Sequence, residues 1–222
     1  MACLDGCLDL YINIFKPISL CYTFNMKNDL RQKLIHAMFE AIYTKGYHAS
    51  NLNEILKNAG ISKGGLYHHF TSKKELSIAA IEEVLGNAIS ELWEKPLEVE
   101  KDYVKNLILC IRGFSHLAED ETRHFDIKFG CPLNNMIQEL SSIDEDFATS
   151  LQKIYSRWHE VLQNALDNAK NADECQTNFN TADVSLFIIS SIEGAISSAK
   201  VFQDISYYNR ASQELIAYIK GL

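Results

Sequence analysis

Proline and glycine are scarce in this chain: 3 and 10 among 222 residues. That is too few for the many tight turns of an all-β fold. No uninterrupted apolar run reaches the roughly 18 residues that cross a bilayer, so no membrane partner is expected. The 6 cysteines, Cys3, Cys7, Cys21, Cys110, Cys131 and Cys175, form no CxxC pair and keep no regular spacing with histidine. A zinc site or disulfide framework is therefore not expected, and a reducing cytoplasm fits the pattern. His116, His124 and His159 are not spaced to meet one another, so metal sensing is not expected and no cofactor is implied. There is no phosphate-cradling glycine loop, no nucleophile–base–orienter set and no paired-carboxylate constellation, and the chain does not read as an enzyme.

What is present is apolar and helical. A hydrophobic content of 47% supports a core and excludes disorder. The net charge of -8 does not suggest a nucleic-acid binder as a whole, but the charge is uneven. Residues 26–75 carry a positive excess, and residues 76–222 hold the acidic surplus. A basic end on an acidic protein is a candidate for polyanions. Residues 1–25 are apolar yet hold Asp5, Asp9 and Lys16, and they lack the basic start and cleavage site of a secretory signal. They read as an extension outside the core fold, either an upstream translation preceding a natural start at Met26 or a genuine extra segment.

From Asn28 the periodicity is that of helices. Asn28 or Asp29 can cap a first helix, on which Leu30, Leu34, Ile35, Met38, Phe39 and Ile42 share a stripe. Gly46 ends it. Ser50 is placed to cap a short second helix, with Leu52, Ile55 and Leu56 as its apolar face. Asn58-Ala59-Gly60 is a turn, and Ser62 caps a third short helix ending near Phe70. Ser72 opens a long fourth helix, with Glu75 completing a capping box, that runs to about Lys95 before Pro96. Five more helices are expected near 98–119, 132–142, 144–170, 181–203 and 206–220.

The stretch GISKGGLYHHFTSKKEL, Gly60 to Leu76, concentrates glycine, aromatic, imidazole and lysine side chains. Two short helices about a glycine-containing turn make a helix-turn-helix, whose second helix can enter a major groove. Leu66 and Phe70, four residues apart, should face inward. Lys63, Tyr67 and His68 should then face outward, where lysine can reach guanine or phosphate and the rings can reach phosphates or thymine methyls. Gly64 and Gly65 would let the helix approach base edges. Lys73 and Lys74 sit at the next helix start, a position suited to phosphate. A surface helical hairpin with solvated charges is the plainer alternative.

The segment NLNEILKNAGISKGGLYHHFTSKKEL resembles the DNA-binding part of TetR-family transcriptional regulators. The match covers roughly 27–76, with the second helix, the AGISKG turn, LYHHF and the SKKEL helix start in order. The resemblance implies an all-α protein of about nine helices. A three-helix DNA-binding domain at 26–75, with its helix-turn-helix at 51–70, would lead into a ligand-binding and dimerisation bundle at 76–222. It implies contacts to a double-stranded DNA operator from Lys63, Gly64, Gly65, Tyr67, His68, His69 and Lys73. Family members commonly carry Thr or Ser where this chain has Gly65, which would make that contact a backbone one. The resemblance also implies a homodimer reading a palindrome, most often as a repressor. The last two helices resemble the dimerisation pair. Small residues in SSIEGAISSAK, such as Ser190 and Gly194, allow close approach there, and Leu186, Ile189, Ile192 and Ile196 supply apolar area; an internal core helix is the plainer alternative. A helical adaptor without DNA binding is the alternative from another functional class.

Family members usually hold a small-molecule inducer inside the C-terminal bundle. Trp93, Phe114, His116, Phe125, Phe129, Met136, Phe147 and Trp158 are candidates to line such a cavity, though each also suits a plain core. A sharper motif is FGCPLNNMIQELS, starting at Phe129. Pro132 suits the first helical position, which puts Cys131 at the N-cap, where the helix terminus would lower its thiol pKa. The GC pair also resembles a TetR branch that includes N-ethylmaleimide-responsive repressors. In those a matching cysteine senses electrophiles and oxidants, and a lysine of the penultimate helix aligns with Lys200. A thiol-sensing repressor is thus the alternative to one with an unmodified small ligand.

Overall fold

The computed structural model describes residues 30–119 and 125–222, with the backbone alone for 116–119. The extension 1–25, Met26, the caps Asn28 and Asp29, His124 and the His116 side chain lie outside the described set. Within it every regular element is helical. The helices are α1 (Leu30–Lys45), α2 (Leu52–Asn58), α3 (Lys63–His69), α4 (Lys73–Ile89), α5 (Tyr103–Glu119), α6 (Pro132–Leu140), α7 (Glu145–Asn171), α8 (Thr181–Phe202) and α9 (Ser206–Lys220). α4 continues through a π-helical turn, Ser90–Glu94, into a last α turn, Lys95–Leu97.

The headpiece is α1 to α3. Leu34, Ile35 and Met38 of α1 are fully buried with Leu66 of α3, beside Ile55, Leu56 and Phe70. Burying one such side chain contributes about 1.5–3 kcal/mol, so this cluster holds three short elements that could not stand alone. Their ends are capped locally. The Asn51 side chain accepts from the amides of Asn53 and Glu54. Ser50, expected as that cap, instead donates its hydroxyl to the Gly46 carbonyl at 2.6 Å, closing the turn after α1. Ser62 caps α3 by accepting from the Gly65 amide at 3.1 Å. Ser72 caps α4 by accepting from Glu75, but the Glu75 carboxylate reaches back one residue further, to the Thr71 amide at 2.7 Å.

α4 joins the headpiece to the rest, lying against α1 on one side and α7 on the other. It does not stop before Pro96. In a regular helix a proline ring clashes with the carbonyl four residues back, and the wider π turn relieves that crowding. Arg157 of α7 pairs with Glu94 and donates to the Gly86 carbonyl at 3.1 Å, bracketing the π turn. α5, α7, α8 and α9 pack together as the C-terminal bundle, while α6 bridges α7 to α1. α8 is long and apolar enough to cross a membrane by length and composition, although Asp183, Glu193 and Lys200 break its apolar residues into shorter runs. One of its faces, with Ile188, Ile189 and Ile192, is nevertheless packed in the bundle core.

Candidate functional site

α3 presents its chemistry to solvent. Lys63, Gly64, Tyr67 and His68 are exposed, Tyr67 at 60%, and Leu66 and Phe70 face inward as their spacing required. Three expected contacts differ. Gly65 is half-buried, and a Cβ there would lie 3.0 Å from Leu30 Cδ2, so its smallness serves packing of α3 on α1 rather than approach to a base edge. Lys73 turns inward: its ammonium donates to the Tyr47 carbonyl at 2.6 Å and lies 4.2 Å from that ring's centre. Burial holds its pKa below the usual lysine value. Lys74 is paired with Asp144 at 2.7 Å and Asp146 at 2.6 Å, so its charge is directed to α7 and not to phosphate. His69 is half-buried with its ring 4.9 Å from that of His68.

A second site lies where the headpiece meets the bundle. It is a largely apolar cavity of about 340 Å³. α1 supplies His36, Phe39 and Glu40 to its wall, α4 and the π turn supply Val84 to Trp93, and Phe114, Phe125, Trp158 and Ile192 close it. The volume falls within the range of pockets that take small ligands. Trp93 and Trp158 rings lie 5.2 Å apart, and Phe114 and Phe125 meet edge to face at 4.6 Å. Of the residues expected to line a cavity, Trp93, Phe114, Phe125 and Trp158 do so, and Cys131, expected as a sensor, joins them. Met136 and Phe147 are instead fully buried core, and Phe129 stacks edge-on against Tyr43 at 5.5 Å, outside the cavity wall.

Cys131 stands at the N-cap of α6 with Pro132 at the helix start, but its side chain caps nothing. The thiol points to Glu193 of α8 and donates to Oε1 at 3.1 Å. Burial, with the Glu193 charge adding to it, pushes this thiol well above its ordinary pKa. The expected lowering by the helix terminus is thus overturned, because the local dipole is outweighed by lost hydration and a facing carboxylate. Burial likewise raises the Glu193 carboxyl to about 7. Lys200 does not reach the cavity wall. Its stem crosses Gly130, where a Cβ would sit 2.8 Å from Lys200 Cδ, and its ammonium donates to Asn135 at 3.2 Å. Gly130 has φ +74, and its carbonyl oxygen accepts from the hydroxyl of Tyr43 of α1 at 2.9 Å.

Residues 34–80 match the family described as bacterial regulatory proteins, tetR family, and residues 111–215 match the tetracyclin repressor-like C-terminal domain. An uncharacterized HTH-type transcriptional regulator in the lacX 3'region of Lactococcus lactis subsp. lactis is 30% identical over 190 residues, covering 82% of this chain and 89% of that protein. The chain belongs to the TetR family. Its relatives are transcriptional regulators with a helix-turn-helix, not enzymes. Among solved structures, a TetR transcriptional regulator from Chloroflexus aurantiacus superposes with a TM-score of 0.76 at 23% identity, covering 86% of this chain and 93% of that one. The reduced form of E. coli NemR superposes with a TM-score of 0.72 at 19% identity, covering 85% and 96%, which shows a shared fold.

The residues expected on one face of α8 in this TetR-family chain divide between two faces. Ile189, Ile192 and Ile196, expected at a dimer interface, are buried inside the chain, and Ile192 and Ile196 line the cavity. Leu186, Ser190 and Gly194 are exposed, as that expectation required. Phe187, Val201 and Phe202 of α8 and Tyr218 of α9 extend the exposed apolar stripe, and the Phe187 and Tyr218 rings meet edge to face at 5.0 Å. Sequence reasoning also missed Glu193 and the α1 contribution to the cavity. A single carboxylate within the apolar run SSIEGAISSA was the available signal for Glu193.

Proposed function

We propose that this TetR-family regulator is a homodimeric repressor that leaves a palindromic operator when a small molecule fills the cavity. The observation carrying the reading is that α1, the helix on which α3 is packed, forms part of the cavity wall through His36, Phe39 and Glu40. An occupant touching α1 and α4 together can favour one setting of the headpiece over another. It shifts the equilibrium only if it binds the operator-free setting more tightly.

The headpiece also rests on the bundle at points that such a shift would disturb. Tyr43 donates to Gly130, the residue before Cys131 of the cavity wall. The carboxylate of Glu139 on α6 accepts from the Tyr47 and His48 amides at 3.1 and 3.2 Å. Lys63, Gly64, Tyr67 and His68 are the groups proposed to read or grip DNA, with His69 at the margin. The exposed stripe from Leu186 to Phe202, with Tyr218, is proposed to cover its twin in a second copy, setting the two recognition helices apart by a multiple of the helical repeat. Such a protein acts on DNA in the cytoplasm.

Binding to the DNA upstream of its own coding region, followed by fluorescence anisotropy, tests this. Tyr67→Ala should weaken binding by about tenfold or more while sedimentation still shows a dimer. Unchanged affinity in that variant would remove α3 from the interface as assigned. A monomer that binds as well as wild type would remove the dimer.

A further inference from the structure

Two residues of the cavity wall each carry a buried polar atom that the fold leaves unanswered. Trp158 Nε1 and Glu193 Oε2 are both buried, and neither has a hydrogen-bond partner among the described residues. Trp158 is only 4% exposed. Both residues belong to the wall of the same cavity. A buried polar group without a partner is costly, more so when charged, so two on the wall of one apolar pocket ask for an explanation.

Each atom specifies a complement. The indole N–H is a donor only and calls for an acceptor. Glu193 Oε1 already receives the Cys131 thiol, which leaves Oε2 of the ionised carboxylate to meet a donor. The charge of the wall then selects among donors. Its ionisable groups other than the thiol are Glu40 and Glu193, both carboxyls, and His36; no lysine or arginine lines it among the described residues. A carboxylate or phosphate ligand would find no lysine or arginine among the described residues of the wall to receive it, whereas an ammonium would be matched. The same wall carries the rings of Trp93, Trp158, Phe114 and Phe125, a lining that favours an aromatic body and a cation over rings.

We infer that the cavity takes a compact lipophilic amine, its ammonium on Glu193 Oε2 and an acceptor oxygen on Trp158 Nε1. This rests on the ligand-released reading above and names the ligand class for it. The cation would also favour the ionised form of Glu193, which burial alone disfavours. The occupant would bridge α7 and α8, which carry these two residues, to the α1 wall.

The chain has 2 tryptophans, and both line the cavity, so intrinsic fluorescence reads occupancy directly. Three probes of one shape separate the possibilities: 3-phenoxypropylamine, 3-phenoxypropan-1-ol and 3-phenoxypropanoic acid. The amine should bind on the order of tenfold or more tighter than the alcohol, the difference expected of a charged hydrogen bond, and the acid should bind weakest. In Glu193→Gln the amine and the alcohol should converge to within a few-fold. The order in the wild-type protein decides the matter even if that variant folds poorly. A response in which the alcohol or the acid equals or beats the amine overturns the amine assignment while leaving a ligand-filled cavity. No response to any of the three, with operator binding also unchanged by them, overturns both the amine and the cavity as the releasing site. Release of the operator by a probe that leaves tryptophan fluorescence unchanged overturns the cavity alone as the place of action and, with it, this inference.

Discussion

Lys74, in the first turn of α4, holds Asp144 at 2.7 Å, and Asp144 is the residue that caps α7. One ammonium therefore joins the end of the DNA-reading unit to the start of the longest helix of the bundle. The hydrogen bonds of the pair pull both pKa values outward, Lys74 up and Asp144 down. The pair is half-buried at the surface, where solvent screens it, so its worth lies in registration rather than in stability. Lys74→Met should leave unliganded operator affinity within about threefold, because this lysine is engaged away from DNA. It should shrink the change in operator affinity caused by an inducer, roughly two- to tenfold. Anisotropy titrations with and without inducer measure both quantities; an operator affinity that collapses would return Lys74 to the phosphate contacts.

The two faces of α8 should respond differently to substitution. Phe187→Asp places a charge on the exposed stripe and should yield monomers by sedimentation, with operator affinity down by tenfold or more. Ile189→Ala acts on a fully buried side chain and should cost about 2–5 kcal/mol in urea unfolding. Equal effects of both changes on dimerisation would mean that the stripe is not the contact face.

Glu193 makes stability depend on pH. Its folded-state pKa of about 7 lies above the ordinary value of 4.5. The folded chain thus holds this proton longer than the unfolded chain does. The contribution is fully present below the ordinary value and is lost as pH rises through 7. The loss is on the order of 3 kcal/mol between those limits. Glu193→Gln should therefore melt higher than wild type at pH 8 and close to it at pH 5. Parallel melting curves at the two pH values would show that Glu193 is not desolvated as described.

Cys131 should be a slow nucleophile. With its pKa raised by burial and by Glu193, little thiolate exists at neutral pH. Maleimide labelling at pH 7 should run at least about tenfold slower than that of a free thiol, and should keep accelerating beyond pH 9. Glu193→Gln should speed it. Rapid labelling near pH 6, with loss of operator binding, would restore the thiol-sensing alternative.

Much of the fold was legible because its signals are local. The stripe from Leu34 to Ile42 and the caps Ser62 and Ser72 each involve residues within one or two turns, and α8 was placed within a residue of Thr181–Phe202. The errors came where distant residues decide. Cys131 was read from its helix terminus, but its partner Glu193 lies 62 residues away. Lys74 was read as a phosphate ligand, but Asp144 lies 70 residues on. α8 is apolar nearly all round, so periodicity could not say that Ile192 turns to the cavity while Phe187 turns out. Gly65 looked like a concession to DNA until Leu30 appeared beside it.

The π turn at Ser90–Glu94 gives the cavity wall a history of its own. It contributes Leu92 and Trp93 to that wall. A π turn accommodates one residue more than the same sweep of α-helix needs. Insertion or loss of a single residue here alters the pocket lining while the segments on either side keep their faces. A small length change at this point can therefore alter the pocket lining without moving α3 from its seat on α1.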